Sequence, residues 1–136
     1  MFAFTRFNMT KAEIIQFWID SSDKDFQTML HLYDSGDYMW SLFMGHLVVE
    51  KLLKAYYISK KDENYPYSHN LLRIAENAGM DLNEDQQTLF STITGFNLNA
   101  RYDDYKQSFY QKCTPEFTGV WIEKIKVERK WIKNQL

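Results

Sequence analysis

Between Tyr38 and Lys60 the chain carries Leu42, Phe43, Leu47, Val48, Val49, Leu52, Leu53, Tyr56 and Tyr57 with neither proline nor a polar face to turn toward water. A segment of helical length that is apolar almost all round is stable only when neighbours enclose it on several sides. This stretch therefore predicts a central helix, and every other segment must contribute to its wall. With 136 residues the chain is long enough to build that wall in one domain, residues 1–136.

The flanking segments have the required pattern. Thr10 and Glu13 form a capping-box signature, and Ile15, Trp18, Ile19, Phe26, Met29, Leu30 and Tyr33 repeat near 3.6 residues. The stripe stays in phase across Asp20 to Asp25, so one long helix ending before Gly36 is expected, although a break at Ser21 and Ser22 would halve it. After the polar, turn-prone stretch 60–67, Ser68 can cap a short helix through Leu71, Leu72 and Ala75 that stops at Gly79. Asn83 and Gln86 open a fourth helix bearing Leu89, Phe90 and Ile93.

From Arg101 to Glu116 polarity is mixed and Pro115 interrupts, which predicts a continuation of helix four followed by a loop. A last helix, about Thr118 to Lys133, is expected to turn Val120, Trp121, Ile125, Trp131 and Ile132 inward. Its Lys126, Arg129, Lys130 and Lys133 collect toward the C-terminal end, where cations offset the helix dipole or, alternatively, touch RNA. The prediction is an all-α, up-and-down bundle of four main helices plus one short helix.

Composition excludes several functions. Hydrophobic residues at 45% and aromatics at 17% oppose disorder. A net charge of −2 supplies no general field for nucleic acid. Cys113 is alone, so an intrachain disulfide or a cysteine zinc site cannot form, and without a nearby histidine it is a poor nucleophile. No apolar run reaches the roughly 18 residues of a membrane span, and Met1 to Thr10 lacks a signal-peptide pattern, so a cytoplasmic location is expected. Gly-rich phosphate loops, Gly-x-Ser-x-Gly and His-Glu-x-x-His are missing, and no cofactor is implied.

Two groups of residues stand out. His46 and Glu50 are four apart on one face of the enclosed helix, where a carboxylate is costly unless paired. Either Glu50 pairs with Lys54 one turn later while His46 is a satisfied core histidine, or Glu50 and His46 line a polar pocket that holds a basic residue such as Arg101 for a ligand. A metal site would need a third ligand, with His69 the nearest supplier. The second group is the run Asn97, Asn99, Arg101, Tyr102, Asp103, Asp104, Tyr105 and Lys106. Arginine grips phosphate and tyrosines offer stacking faces, but the same residues also suit an Arg101 tied to an acid and tyrosines packed on the bundle.

Taken in order, the stretch 38–55 with its Glu-Lys-x-x-Lys-Ala centre, Ser68-His-Asn-Leu71 and Asn99-Ala-Arg-Tyr102 resemble the HEPN family, the nucleotide-binding domain of higher eukaryotes and prokaryotes. The resemblance spans roughly Thr10 to Lys133 and matches Glu50, Lys51, Lys54, Ala55, His69, Arg101 and Tyr102. It implies a helical bundle that dimerises through its helices, often beside a minimal nucleotidyltransferase. Active members are metal-independent ribonucleases in which an arginine is followed, after four to six residues, by a histidine. Here Arg101 is followed by Tyr-Asp-Asp-Tyr-Lys-Gln-Ser, and Arg6, Arg73 and Arg129 lack the histidine as well. Attack by a ribose 2′-hydroxyl needs a proton acceptor and a donor for the leaving oxygen, roles that histidine fills near neutral pH.

The resemblance therefore points to a noncatalytic homodimeric module that binds a nucleotide or RNA through His46, Glu50, Lys54, His69, Arg101, Tyr102 and Tyr105. The alternatives are a ribonuclease with a rearranged site using His69 and Arg101, and a scaffold whose polar groups serve folding alone.

Overall fold

The computed structural model describes residues 9–136; Met1 to Asn8, including Arg6 and most of the stretch read for a signal peptide, lie outside the described residues. Six helices and no strand occur among the described residues: α1 (Lys11–Asp34), α2 (Tyr38–Lys60), α3 (Leu71–Asn77), α4 (Glu84–Arg101), α5 (Asp103–Lys112) and α6 (Pro115–Gln135). The fold is all-α, as the periodicity requires. None of these helices is long and apolar enough to cross a membrane.

Helix α2 is the axle. It packs against each of the other five helices, and Leu42, Val48, Val49, Leu52, Leu53, Ala55 and Ile58 are fully buried along it. Its Gly45 is required by the crossing with α6, because a Cβ there would stand 2.6 Å from Ile125 Cδ1.

Helix α1 begins at the expected capping box: Glu13 N–H donates to Thr10 Oγ1 at 3.1 Å and Thr10 N–H to Glu13 Oε1 at 2.9 Å. It runs unbroken through Ser21 and Ser22 because both serines are used in packing. Ser22 Oγ is buried and donates to the Val48 carbonyl at 2.8 Å, while Ser21 Oγ accepts from Lys51 Nζ at 2.8 Å. A stretch that reads as polar is thus a contact between helices. Gly36, with φ +84°, then allows the tight reversal into α2.

Three local expectations are corrected. The residue capping α3 is Asn70, whose side chain accepts from Arg73 N–H at 3.1 Å; Ser68 sits two residues earlier and accepts from Asn70 N–H instead. The segment after Arg101 is a separate helix, not a continuation followed by loop. Tyr102 adopts extended backbone (φ −100°, ψ 127°) and both ends α4 and starts α5, where Asp103 and Asp104 suit the positive N-terminus. Phe109 anchors α5 by stacking on Phe96 with ring centroids 5.5 Å apart. Pro115 begins α6 instead of interrupting it: Thr114 Oγ1 accepts from Phe117 N–H at 3.1 Å and proline takes the first helical position, where no donor is needed.

On α6, Ile125 and Ile132 are fully buried and Trp121 and Trp131 pack against the core, but Val120 faces solvent at 55% exposure. The basic end of α6 is mostly paired. Arg129 and Lys133 converge on Asp23 of α1 at 3.0 and 2.9 Å, and Lys126 meets Glu123 at 3.0 Å. Arg129 and Lys133 join α6 to α1 and Lys126 is tied within α6, so three of the four cations at this end have acidic partners.

Candidate functional site

Helical spacing sets His46, Glu50 and Lys54 one above another along α2, and each is buried, at 0, 4 and 8% exposure. Three ionisable side chains in a core are stable only if each finds partners. Lys54 Nζ donates to Glu50 Oε2 at 2.9 Å and also lies over the rings of Trp18 and Tyr65, 5.3 and 5.1 Å from their centroids. Tyr65 belongs to the connection between α2 and α3, which folds back over Trp18 in a small core cluster of its own.

The same connection delivers His69. Its Nδ1 donates to Glu50 Oε1 at 2.7 Å, its backbone carbonyl accepts from His46 Nε2 at 2.8 Å, and two residues on Leu71 N–H donates to Thr94 Oγ1 of α4 at 3.0 Å. Backbone and ring are both pinned, yet the His69 side chain remains 58% exposed. A carboxylate can only accept, so Nδ1 carries the hydrogen and Nε2 is left open to solvent.

His46 continues the chain of bonds. A carbonyl oxygen requires that Nε2 be the donor, so in the neutral ring Nδ1 is an acceptor, and it receives Asn97 Nδ2 at 3.3 Å. That fixes the orientation of the Asn97 amide, whose Oδ1 accepts from Arg101 Nε at 2.6 Å. An uninterrupted relay results: Lys54, Glu50, His69, His46, Asn97, Arg101.

The protonation states follow from the surroundings. Burial pushes His46 below the usual imidazole range, more strongly than the His69 carbonyl and the Glu50 charge raise it. Burial alone would push Glu50 up, but the Lys54 ammonium and the bonds from Lys54 and His69 outweigh it, and the carboxyl ends below its ordinary value. Cys113 is buried and its thiol is pushed up to about 11, which leaves it inert as a nucleophile.

Arg101 is at the wet end of the relay. It is exposed, no acid pairs with it among the described residues, and its guanidinium lies 5.3 Å from the ring centroid of Tyr102, itself 50% exposed. The relay thus brings together His46, Glu50, Lys54, His69 and Arg101, with Tyr102 beside the last. Tyr105 is placed apart, on a cavity between α4, α5 and α6. The route to Arg101 also differs from the expected one: Asn97, not Glu50, holds it. The signal for Asn97 was its spacing, four residues before Arg101 on one helix face, in a run read only for phosphate and stacking contacts. A metal has little to bind here, because both Glu50 oxygens and both His46 nitrogens are engaged.

The HEPN domain model matches residues 15–135, nearly all of the chain. The chain belongs to the HEPN domain family. No curated protein and no solved structure matches it significantly. Membership marks this HEPN domain as a nucleotide-binding or ribonuclease-like module. The histidine that follows the arginine in active HEPN ribonucleases is missing after Arg101, and the histidines here stand earlier in the chain, at His31, His46 and His69.

Proposed function

We propose that this HEPN domain is a noncatalytic module that binds the phosphate of a nucleotide or a short RNA segment, with Arg101 as the anion contact. The observation that carries this reading is an exposed guanidinium without an acidic partner among the described residues, fixed at its root by Asn97 and a buried relay. Arginine held at Nε keeps its outer N–H groups aimed outward, which suits paired bonds to phosphate oxygens at a reduced entropic cost. Tyr102 beside it offers a ring face for a base. The family's habit of dimerising and of working beside minimal nucleotidyltransferases supports a homodimer with such a partner, and light scattering should return the mass of two chains.

Calorimetry with nucleoside monophosphates and short RNA tests the ligand. Arg101→Ala is expected to weaken binding at least about tenfold, about 1.4 kcal/mol, and to cost about 1 kcal/mol of stability for the buried Asn97 Oδ1 it leaves without a donor. No heat with any of these ligands up to millimolar concentration ends the proposal.

A second reading rests on one contact. Glu50 fixes His69 through Nδ1 and leaves Nε2 free at the surface, the arrangement of a general base, so a ribonuclease with a rearranged site follows if substrate reaches both His69 and Arg101. It predicts RNA cleavage by the native chain that is lost in His69→Ala and in Arg101→Ala. Undetectable cleavage in all three sinks it.

A further inference from the structure

Of the five glycines, Gly95 is the one with neither a positive φ nor a close Cβ contact. Gly36 and Gly79 adopt positive φ, +84° and +77°; a Cβ at Gly45 would collide with Ile125, and one at Gly119 would come 2.9 Å from the Tyr33 hydroxyl. Gly95 lies inside α4, where glycine is the poorest helix former after proline, and a Cβ there would meet nothing nearer than Asn99 Nδ2 at 3.8 Å. Packing within the chain does not ask for it.

Gly95 lines a cavity of about 430 Å³ between α4, α5 and α6, within the usual range for small-molecule sites. The cavity floor is aromatic: Phe96 and Phe109 are stacked, and Trp121 stands edge-on to Phe96 with centroids 5.3 Å apart. Beside these rings Gly95 presents bare helix backbone, to which a flat molecule can approach as no side chain would permit. At the rim, Lys112 is the one formally charged side chain among the described lining residues. It is exposed, lies 5.5 Å from the Phe117 ring centroid and has no carboxylate partner among the described residues.

We propose that this cavity binds a small planar aromatic molecule bearing one anionic group, the ring lying over Gly95 and the aromatic floor and the anion meeting Lys112. The site is separate from Arg101 and stands whether or not that residue binds phosphate. The partly exposed Trp121 and Phe117 offer apolar ring surface to a flat ligand, the Lys112 ammonium selects against cations, and Gly95 leaves room for close approach.

Amide-resolved NMR titration of the full chain with naphthoate, and with neutral naphthamide as the uncharged counterpart, tests it. Naphthoate is expected to shift the Gly95 amide and the Trp121 indole saturably. Lys112→Gln should weaken naphthoate about fivefold without affecting naphthamide. Gly95→Leu should abolish binding of both, and Gly95→Ala should weaken both while leaving the melting temperature unchanged or higher. If Gly95→Leu does not fold, Gly95→Ala and Lys112→Gln decide by themselves. Any of four results overturns the proposal: no saturable shift to low millimolar naphthoate, equal affinity in Gly95→Ala, a sharp loss of stability in Gly95→Ala, or Gly95 shifts that follow protein concentration alone, which would assign the face to a second copy.

Discussion

Glu50 is the residue on which the buried charges depend. Replacing it by glutamine leaves Lys54 buried without its counter-ion and His69 without a charged acceptor, and breaking a buried pair in this way costs about 3 kcal/mol. Urea unfolding of Glu50→Gln should register that loss. Acid acts through the same network. The folded state holds His46 neutral below its ordinary value of 6.5, so under more acidic conditions the unfolded chain binds the extra proton and stability falls as pH drops from about 6.5. Glu50, held below its ordinary 4.5, adds a further loss at lower pH, as its carboxylate is titrated. His46→Gln should flatten the upper part of this acid limb. Protonation would also set His46 Nδ1–H against the Asn97 amide donor, so the side chain that steadies Arg101 would have to turn away.

Much of this is legible in the sequence: the i, i+4 spacing alone predicts Glu50 with Lys54 and sets both on one face with His46. Of the two readings of that face the geometry matches the first, with Glu50 paired to Lys54 and both His46 nitrogens bonded; Arg101 is reached only through Asn97. What the sequence could not give was the backbone carbonyl of His69. Carbonyls are common to all residues, and only the fold of 61–70 brings this one to His46.

At the level of helices, periodicity placed four long segments and a short one, and capping residues fixed the starts of α1 and α4. It failed between Arg101 and Pro115 because a one-residue break leaves no polar loop to read. Tyr102 is an ordinary aromatic residue, and what separates α4 from α5 is its extended backbone. The Thr114-Pro115 pair is a helix start, a role that proline fills as well as that of a breaker. Val120 lies at the edge of a stripe whose centre is Ile122, Ile125 and Ile132, and it faces solvent. The crossing of α2 with α6 gives a sharper test. Gly45→Ala places a methyl 2.6 Å from Ile125 Cδ1 and 3.2 Å from Met29 Sδ, both fully buried, and overpacking of this kind should cost about 2 kcal/mol in chemical denaturation.

For the molecule as a whole, an enclosed second helix was the strongest expectation, and it holds: α2 touches all five companions. Opening it therefore means dismantling its surroundings. Deuterium should enter the amides of Val48 to Leu53 only at the rate of complete unfolding, whereas those of α5, short and largely exposed apart from Phe109, should exchange through cheaper partial openings. Mass spectrometry of exchanged peptides reads both, and equal protection of α5 and α2 would contradict the hierarchy. Since Arg101 is wired to that slowest-exchanging segment by hydrogen bonds, a ligand seated on it strengthens the least yielding part of the chain, and deuterium uptake deep in the core becomes a gauge of occupancy at the surface.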